Sequence, residues 1–239
     1  FTLVELAIVL TIIGLLIGGI LKAQQLIENT RVTATIAQVN AVTAAVNTFH
    51  DTYNFQPGDL ANANNVIPNC ANCFFTNAAI ATVGDGAVGR TNWDMIGAQA
   101  ITGVANNGAT SVDSETLFFW AELGQAGLIS GVNYDGRAIA AANIAFGSTM
   151  PAARIGSGFI VGNGNGQNNP PMAMWQAAAR HPPIGLQLVT AVSPATTLPV
   201  APGGEVITPD MAQQIDLKID DGFCWSGTTQ CYGFAGNNT

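Results

Sequence analysis

Few residues in this chain have the types and spacing that chemistry requires. Four cysteines form two local pairs, Cys70-x-x-Cys73 and Cys224-x6-Cys231. A zinc site needs four converging Cys or His ligands at suitable spacing, and the second pair is too wide for the usual knuckle. Covalent haem attachment needs Cys-x-x-Cys-His, but Phe74 follows Cys73, which removes haem-based electron transfer. The two histidines, His50 and His181, stand beside no nucleophile motif, and no Gly-x-Ser-x-Gly occurs, so no hydrolase is expected. Gly162-Asn-Gly164-Asn-Gly166 superficially resembles a phosphate loop. The Gln-Asn-Asn-Pro-Pro that follows it cannot open the helix such a loop must feed, so an exposed flexible loop is the better reading. Trp93, Trp120, Trp175 and Trp225 read as packing residues rather than a carbohydrate platform. Neither enzymatic activity nor a cofactor is expected.

Two acidic features remain. Asp216, Asp220, Asp221 and Gly222 suggest a hard cation, which takes six to eight oxygen ligands. No Asp-x-Asn/Asp-x-Asn/Asp-Gly loop accompanies them, and a helix ending in a turn, with Asp216 and Asp220 on one face, explains the same letters. The expectation is therefore no metal, with calcium at Asp216, Asp220 and Asp221 as the lesser alternative. The second feature is Glu5, the sole ionisable side chain in FTLVELAIVLTIIGLLIGGIL, residues 1–21. About 20 apolar residues in a helix span about 30 Å of hydrocarbon, so this is read as a membrane segment. A carboxylate in such a segment costs about 2.5 to 3.5 kcal/mol on insertion scales and is usually paired or functional. One explanation is local: near the helix start it reaches the interface and favours the dipole. The other is assembly: in a stacked array, Glu5 of one chain neutralises the α-amine of Phe1 of the next.

A secretory signal peptide would need a basic stretch before the apolar run and a small-residue cleavage site after it. No Met or Lys precedes Phe1, and Gly-Gly-Ile-Leu-Lys-Ala runs on without a break. Processing upstream of Phe1 is the expectation. Composition narrows the class further. The chain has 239 residues, 48% hydrophobic and only 9% charged, with 7 Lys+Arg against 15 Asp+Glu; a soluble domain usually carries about 25% charged residues. Disorder is excluded because disordered segments are poor in apolar residues and rich in charge. A nucleic-acid grip needs a cationic face, which seven cations cannot make, so no specific nucleic-acid contact is expected. Asn, Ser, Thr and Gly replace charge on the surface, as in many extracellular structural proteins.

The run F-T-L-V-E-L-A-I-V-L-T-I-I-G resembles the mature N-terminus of the type IV pilin and pseudopilin superfamily, the matching positions being Phe1, Thr2, Leu3, Glu5 and Gly14. The motif covers about the first 25 residues. The resemblance implies a leader removed before Phe1 by a prepilin peptidase, methylation of the Phe1 amine, and a requirement for Glu5 in assembly. Many members have proline at the position of Lys22; here no proline precedes Pro57. A helix break promoted there by proline would instead fall at Gly14, Gly18 and Gly19. An extended stretch between Gly14 and Lys22, with helix resuming by Gln25, is expected in a packed fibre.

The elements that must position these residues follow from periodicity. From Val32 the apolar residues Ile36, Val39, Val42, Val46, Phe49 and Tyr53 recur at intervals of 4, 3, 3, 4, 3 and 4, an amphipathic helix with a narrow seam. Asn54 to Asp59, with Pro57-Gly58, stop it. The predicted organisation is a helix over 1–54, with a membrane or filament-core part over 1–21 and an amphipathic half over 25–54, followed by a globular head over 55–239. In the head, Ser114 to Leu123 reads as a helix with a Ser cap and an end marked by Gly124 and Gly127. Leu128-Ile129, Ile155 to Val161 and Leu186 to Val192 are strand candidates. The Pro57-Gly58-Asp59-Leu60 turn, the stretch from Phe119 to Ile129 and that from Thr208 to Gly222 are similar to segments of large prepilin-type proteins. The fold class implied is α+β: a ladle whose long N-terminal α-helix packs on a C-terminal head with a small antiparallel β-sheet and long loops.

The function implied is a structural subunit of an extracellular, type IV pilus-like helical filament. It would be drawn from an inner-membrane precursor pool after leader cleavage and end at the cell surface. Its partners would be identical subunits in a homopolymer, the inner membrane, the prepilin peptidase and the pilus assembly machinery. The alternatives are a type II secretion pseudopilin and a minor pilin or adhesin at a filament tip. A head outside the cell lies where disulfides persist, which favours Cys70 with Cys73 and Cys224 with Cys231 among the three possible connectivities. Thr190 to Gly204 is uncharged and Pro-rich, making Ser193, Thr196 and Thr197 candidate O-glycosylation sites; an ordinary Pro-rich loop is the favoured reading.

Overall fold

In a computed structural model the described residues are 2–73, 84, 86, 88, 111–112, 115–136, 139–140, 145–156, 158–162, 185–189 and 207–223. The first element, α1 (Leu3–Tyr53), is one helix of 51 residues, about 75 Å long at 1.5 Å per residue. It begins at a capping box: Thr2 Oγ1 accepts from the Glu5 amide and the Glu5 carboxylate accepts from the Thr2 amide. It ends at Asn54, in the left-handed region with φ 59°, whose amide donates to the His50 carbonyl at 2.8 Å; Asn tolerates that conformation better than most side chains. Pro57 then bars a quick return to helix. Gly14, Gly18 and Gly19 all lie inside the helix of this single chain. Threonine hydroxyls along α1 donate to carbonyls four residues back, as Thr30, Thr33, Thr43, Thr48 and Thr52 do. The helix thus accepts many Thr without unpaired hydroxyls.

Two halves of α1 have opposite environments. Every residue from Thr2 to Arg31 is exposed, including Leu10, Leu15, Ile17 and Leu21, and this part is long and apolar enough to cross a membrane. From Val32 onward one stripe docks on the head. Val32, Val42 and Phe49 are buried, and Ile36, Val39, Val46 and Tyr53 pack against the same core. Each fully buried side chain of this size contributes about 1.5 to 3 kcal/mol. Gln38 fastens the contact by imitating a backbone unit: its Nε2 donates to the Ala152 carbonyl and its Oε1 accepts from the Arg154 amide, both at 3.0 Å.

After a single turn, α2 (Ala63–Val66), a disulfide joins Cys70 and Cys73. The centre of the head is α3 (Glu115–Gln125). Leu117, Phe118, Phe119, Trp120, Ala121 and Leu123 are all buried, so apolar residues cover most of its circumference, as befits a core helix, and the remaining face carries the buried Glu115 and Glu122. It packs against both α1 and a strand of the head. The cap expected from Ser114 lies outside the described residues. At the other end the helix runs through Gly124 and closes in a Schellman motif. Gly127 takes φ +73°, its amide donates to the Gly124 carbonyl, and the Leu128 amide donates to the Leu123 carbonyl, both at 3.0 Å. The strand expected at Leu128-Ile129 is therefore corrected: these amides are spent closing the helix.

Among the described residues the strands form two separate antiparallel pairs. In the first, β1 (Ser111–Val112) pairs with β2 (Ile139–Ala140); in the second, β3 (Gly158–Gly162) pairs with β4 (Gly185–Val189), with Phe159 opposite Leu188 and Val161 opposite Leu186. The strand expected from Ile155 begins only at Gly158, since Ala153 to Gly156 is a turn with Gly156 at φ +100° and its amide on the Ala153 carbonyl. Residues 190–192 of the last strand candidate lie outside the described residues. A further helix, α4 (Pro209–Ile219), is capped by Thr208, whose Oγ1 accepts from the Met211 amide, and has proline in its first turn. It lies against α1, burying Ile215, and Lys218 Nζ donates to Thr33 Oγ1 at 3.1 Å. The molecule is thus a long, half-bare helix carrying a head of short helices and two-stranded pairs.

Candidate functional site

Among the described residues, three places gather side chains with chemical potential. The first is the bare half of α1. Glu5 stands on its first turn, with Oε2 2.8 Å from the Thr2 amide that donates to it. A carboxylate there satisfies amides that a helix start leaves without partners. Nothing lies within 4 Å of where a Cβ would stand on Gly14, Gly18 or Gly19, so in the single chain these glycines leave small, unfilled notches along an apolar rod. Phe1 lies outside the described residues. The helix presents its apolar surface all round, and among the described residues nothing of the head covers it.

The second place is where α1 turns into the head. Pro57, Gly58, Asp59 and Leu60 are all buried. The Gly58 amide donates to Glu122 Oε2 at 2.6 Å, and Asp59 accepts from the amides of Gly84 and Gly86, the latter at 2.8 Å. Asp59, Glu115 and Glu122 are almost wholly inaccessible. Burial pushes the Glu122 carboxyl well above the usual range. The Gly58 hydrogen bond works in the opposite direction, while the negative charges of Asp59 and Glu115 raise it further. Sequence reasoning reads the Pro-Gly-Asp turn and the Phe-Trp-Ala-Glu-Leu helix as separate segments, but the fold makes them one unit. The available signal is a pair of glutamates seven apart, hence on one helical face, in an otherwise apolar stretch.

The third place is the end of α4. Asp216, Asp220 and Asp221 bring carboxylate oxygens within 4.8 Å of one another. The Asp216 side chain has no accessible surface, and both of its oxygens lack a hydrogen-bond partner. Although it is covered, it sits near the molecular periphery; desolvation, then the Asp221 and Asp220 charges, raise its pKa. These three are the residues of the chain able to hold a metal ion among those described. Of the cysteines, Cys70 and Cys73 are joined, whereas Cys224 and Cys231, and the candidate glycosylation positions Ser193, Thr196 and Thr197, lie outside the described residues. His50 is exposed in the last turn of α1, and His181 lies outside the described residues.

No protein-family model, curated protein or solved structure matches the chain.

Proposed function

We propose that this chain is a structural subunit of an extracellular helical filament of the type IV pilus kind, a ladle whose bare helix forms the filament core and whose head forms its surface. The observation that carries the reading is the contrast within α1: residues Thr2 to Arg31 are exposed and, from Leu3 to Leu21, apolar apart from Glu5, Thr11 and glycine. Such a surface is stable only in lipid or against other apolar helices. Before assembly the inner membrane covers it; in the fibre, sister helices do. The role of the chain is structural, and its partners are copies of itself together with the peptidase and machinery that process and assemble it.

Glu5 supplies the register. In the single chain its carboxylate serves its own helix start; in the fibre it neutralises the Phe1 amine of the neighbouring subunit in a dry environment, where an unpaired charge is strongly unfavourable. Glu5→Ala should yield a stable, membrane-inserted protein that enters no fibres. Glu5→Gln separates the two roles, because glutamine also completes a capping box but carries no charge. Electron microscopy of cells producing each variant should show fibres with the parent chain alone. Normal fibre yield from Glu5→Ala would sink the proposal, and fibres from Glu5→Gln but not Glu5→Ala would assign Glu5 to the cap.

A further inference from the structure

We propose that Asp216, Asp220 and Asp221 form a calcium-binding site at the C-terminal end of α4. The proposal is independent of the filament reading. Asp216 and Asp220 are one helical turn apart, and the Asp220 amide still donates to the Asp216 carbonyl at 2.7 Å. At Asp220 the backbone leaves the helix with φ −140° and ψ −131°. The chain then turns through Gly222 at φ +79°, with Asp221 Oδ1 accepting from the Phe223 amide at 2.9 Å. This turn folds Asp221 back toward the two helical carboxylates.

The decisive observation is Asp216. Its carboxylate has no exposed surface, neither oxygen has a hydrogen-bond partner, and its oxygens face those of Asp220 and Asp221. An acceptor cut off from water and left unmatched is costly. Two further effects act in the same direction. Three like charges crowd one another, and they do so at the negative end of a helix, where cations are favoured. Lys218, the basic residue of the last turn, reaches away to Thr33 on α1. A divalent cation between the three carboxylates reverses all of these costs together.

Geometry selects calcium. Calcium–oxygen distances are about 2.3 to 2.6 Å, so oxygens on one coordination sphere lie no more than about 5 Å apart, and the three carboxylates meet that limit at 4.8 Å. Calcium accepts an irregular set completed by backbone carbonyls and water, whereas magnesium demands a near-ideal octahedron. Three carboxylates on one rim of the head fit the weak end of the calcium range, with Kd of about 0.1 to 1 mM.

The test uses the full chain in detergent micelles, stripped with chelator and titrated calorimetrically with calcium chloride. One saturable site is expected, together with a rise in Tm of about 3 to 6 °C at 10 mM calcium. Asp216→Asn should weaken calcium binding at least tenfold. Asp221→Asn changes an exposed residue, keeps an oxygen for the Phe223 amide and removes one of the three crowded charges, so its metal-free Tm should be no lower than that of the parent while its calcium-induced shift falls by half or more. Absence of saturable heat with the parent chain, or unchanged calcium responses in both variants, would overturn the proposal. So would an equal Tm rise with magnesium chloride at the same concentration.

Discussion

The Gly58 amide donates to Glu122 Oε2 at 2.6 Å across 64 residues of sequence. Through this bond the turn that ends the long helix is tied to the central helix of the head. The acceptor is a carboxyl group whose burial, opposed by the Gly58 bond and reinforced by the Asp59 and Glu115 charges, raises its pKa well above the ordinary 4.5.

Stability should therefore depend on pH through Glu122. Its folded-state pKa is raised, so the stabilisation belongs to the protonated form. It is present in full below the unfolded value of about 4.5 and is lost as pH rises through the folded one. Glu122→Gln keeps an acceptor for Gly58 without a titrating proton. At pH 8 it should melt higher than the parent, because burial there disfavours the ionised Glu122 carboxylate and glutamine carries no charge. The difference should shrink toward pH 5. Parallel melting curves across that range would remove the argument.

Gly58 should resist replacement. It has φ +85°, and a Cβ there would run into the Glu115 carbonyl and stand 2.9 Å from the Phe119 amide nitrogen. Both atoms are backbone of the core helix and have little room to move. Gly58→Ala should cost about 2 to 4 kcal/mol from left-handed strain and overpacking together, read by urea unfolding of the full chain in detergent. A loss below about 1 kcal/mol would mean that the turn and α3 separate more easily than their geometry indicates.

Disulfide mapping without reduction should recover Cys70 linked to Cys73, as the structure has them, and Cys224 linked to Cys231. The first bond closes a short loop, so Cys70→Ser with Cys73→Ser should lower stability by about 1 to 2 kcal/mol. A peptide joining Cys70 to Cys224 would contradict both linkages.

The glycines of the bare helix should matter to the fibre and not to the single chain. Since a Cβ at Gly14, Gly18 or Gly19 meets nothing within 4 Å, changing all three to alanine should strengthen the isolated helix by about 1 kcal/mol per site, seen as greater helicity on heating in detergent. In assembled fibres the parent chain should lose helix between Gly14 and Lys22, lengthening the subunit because extended chain rises about 3.3 Å per residue. The triple variant should then give fewer fibres. A filament map with unbroken helix from Leu3 through Tyr53 would refute melting and leave close helix packing as the use of these glycines.

What could be read without coordinates was local. The spacing of Val32, Ile36, Val39, Val42, Val46, Phe49 and Tyr53 marks the stripe that docks on the head, because helical neighbours lie three or four residues apart and each turn repeats the choice. The stop at Asn54 to Asp59, with Pro57-Gly58, is legible too, because proline bars helix in the residue before it. Leu128-Ile129 reads as a strand by composition, yet its amides close α3; such letters fit either use, and only the helix before them decides. That Gly58 is the partner of Glu122 and that the Asp216 oxygens find none were beyond reach of the letters. Whether a carboxylate is exposed, paired or stranded depends on what distant segments bring beside it. Gly58 reaches Glu122, and α4 finds its place on α1, only when the whole head has closed around a common core.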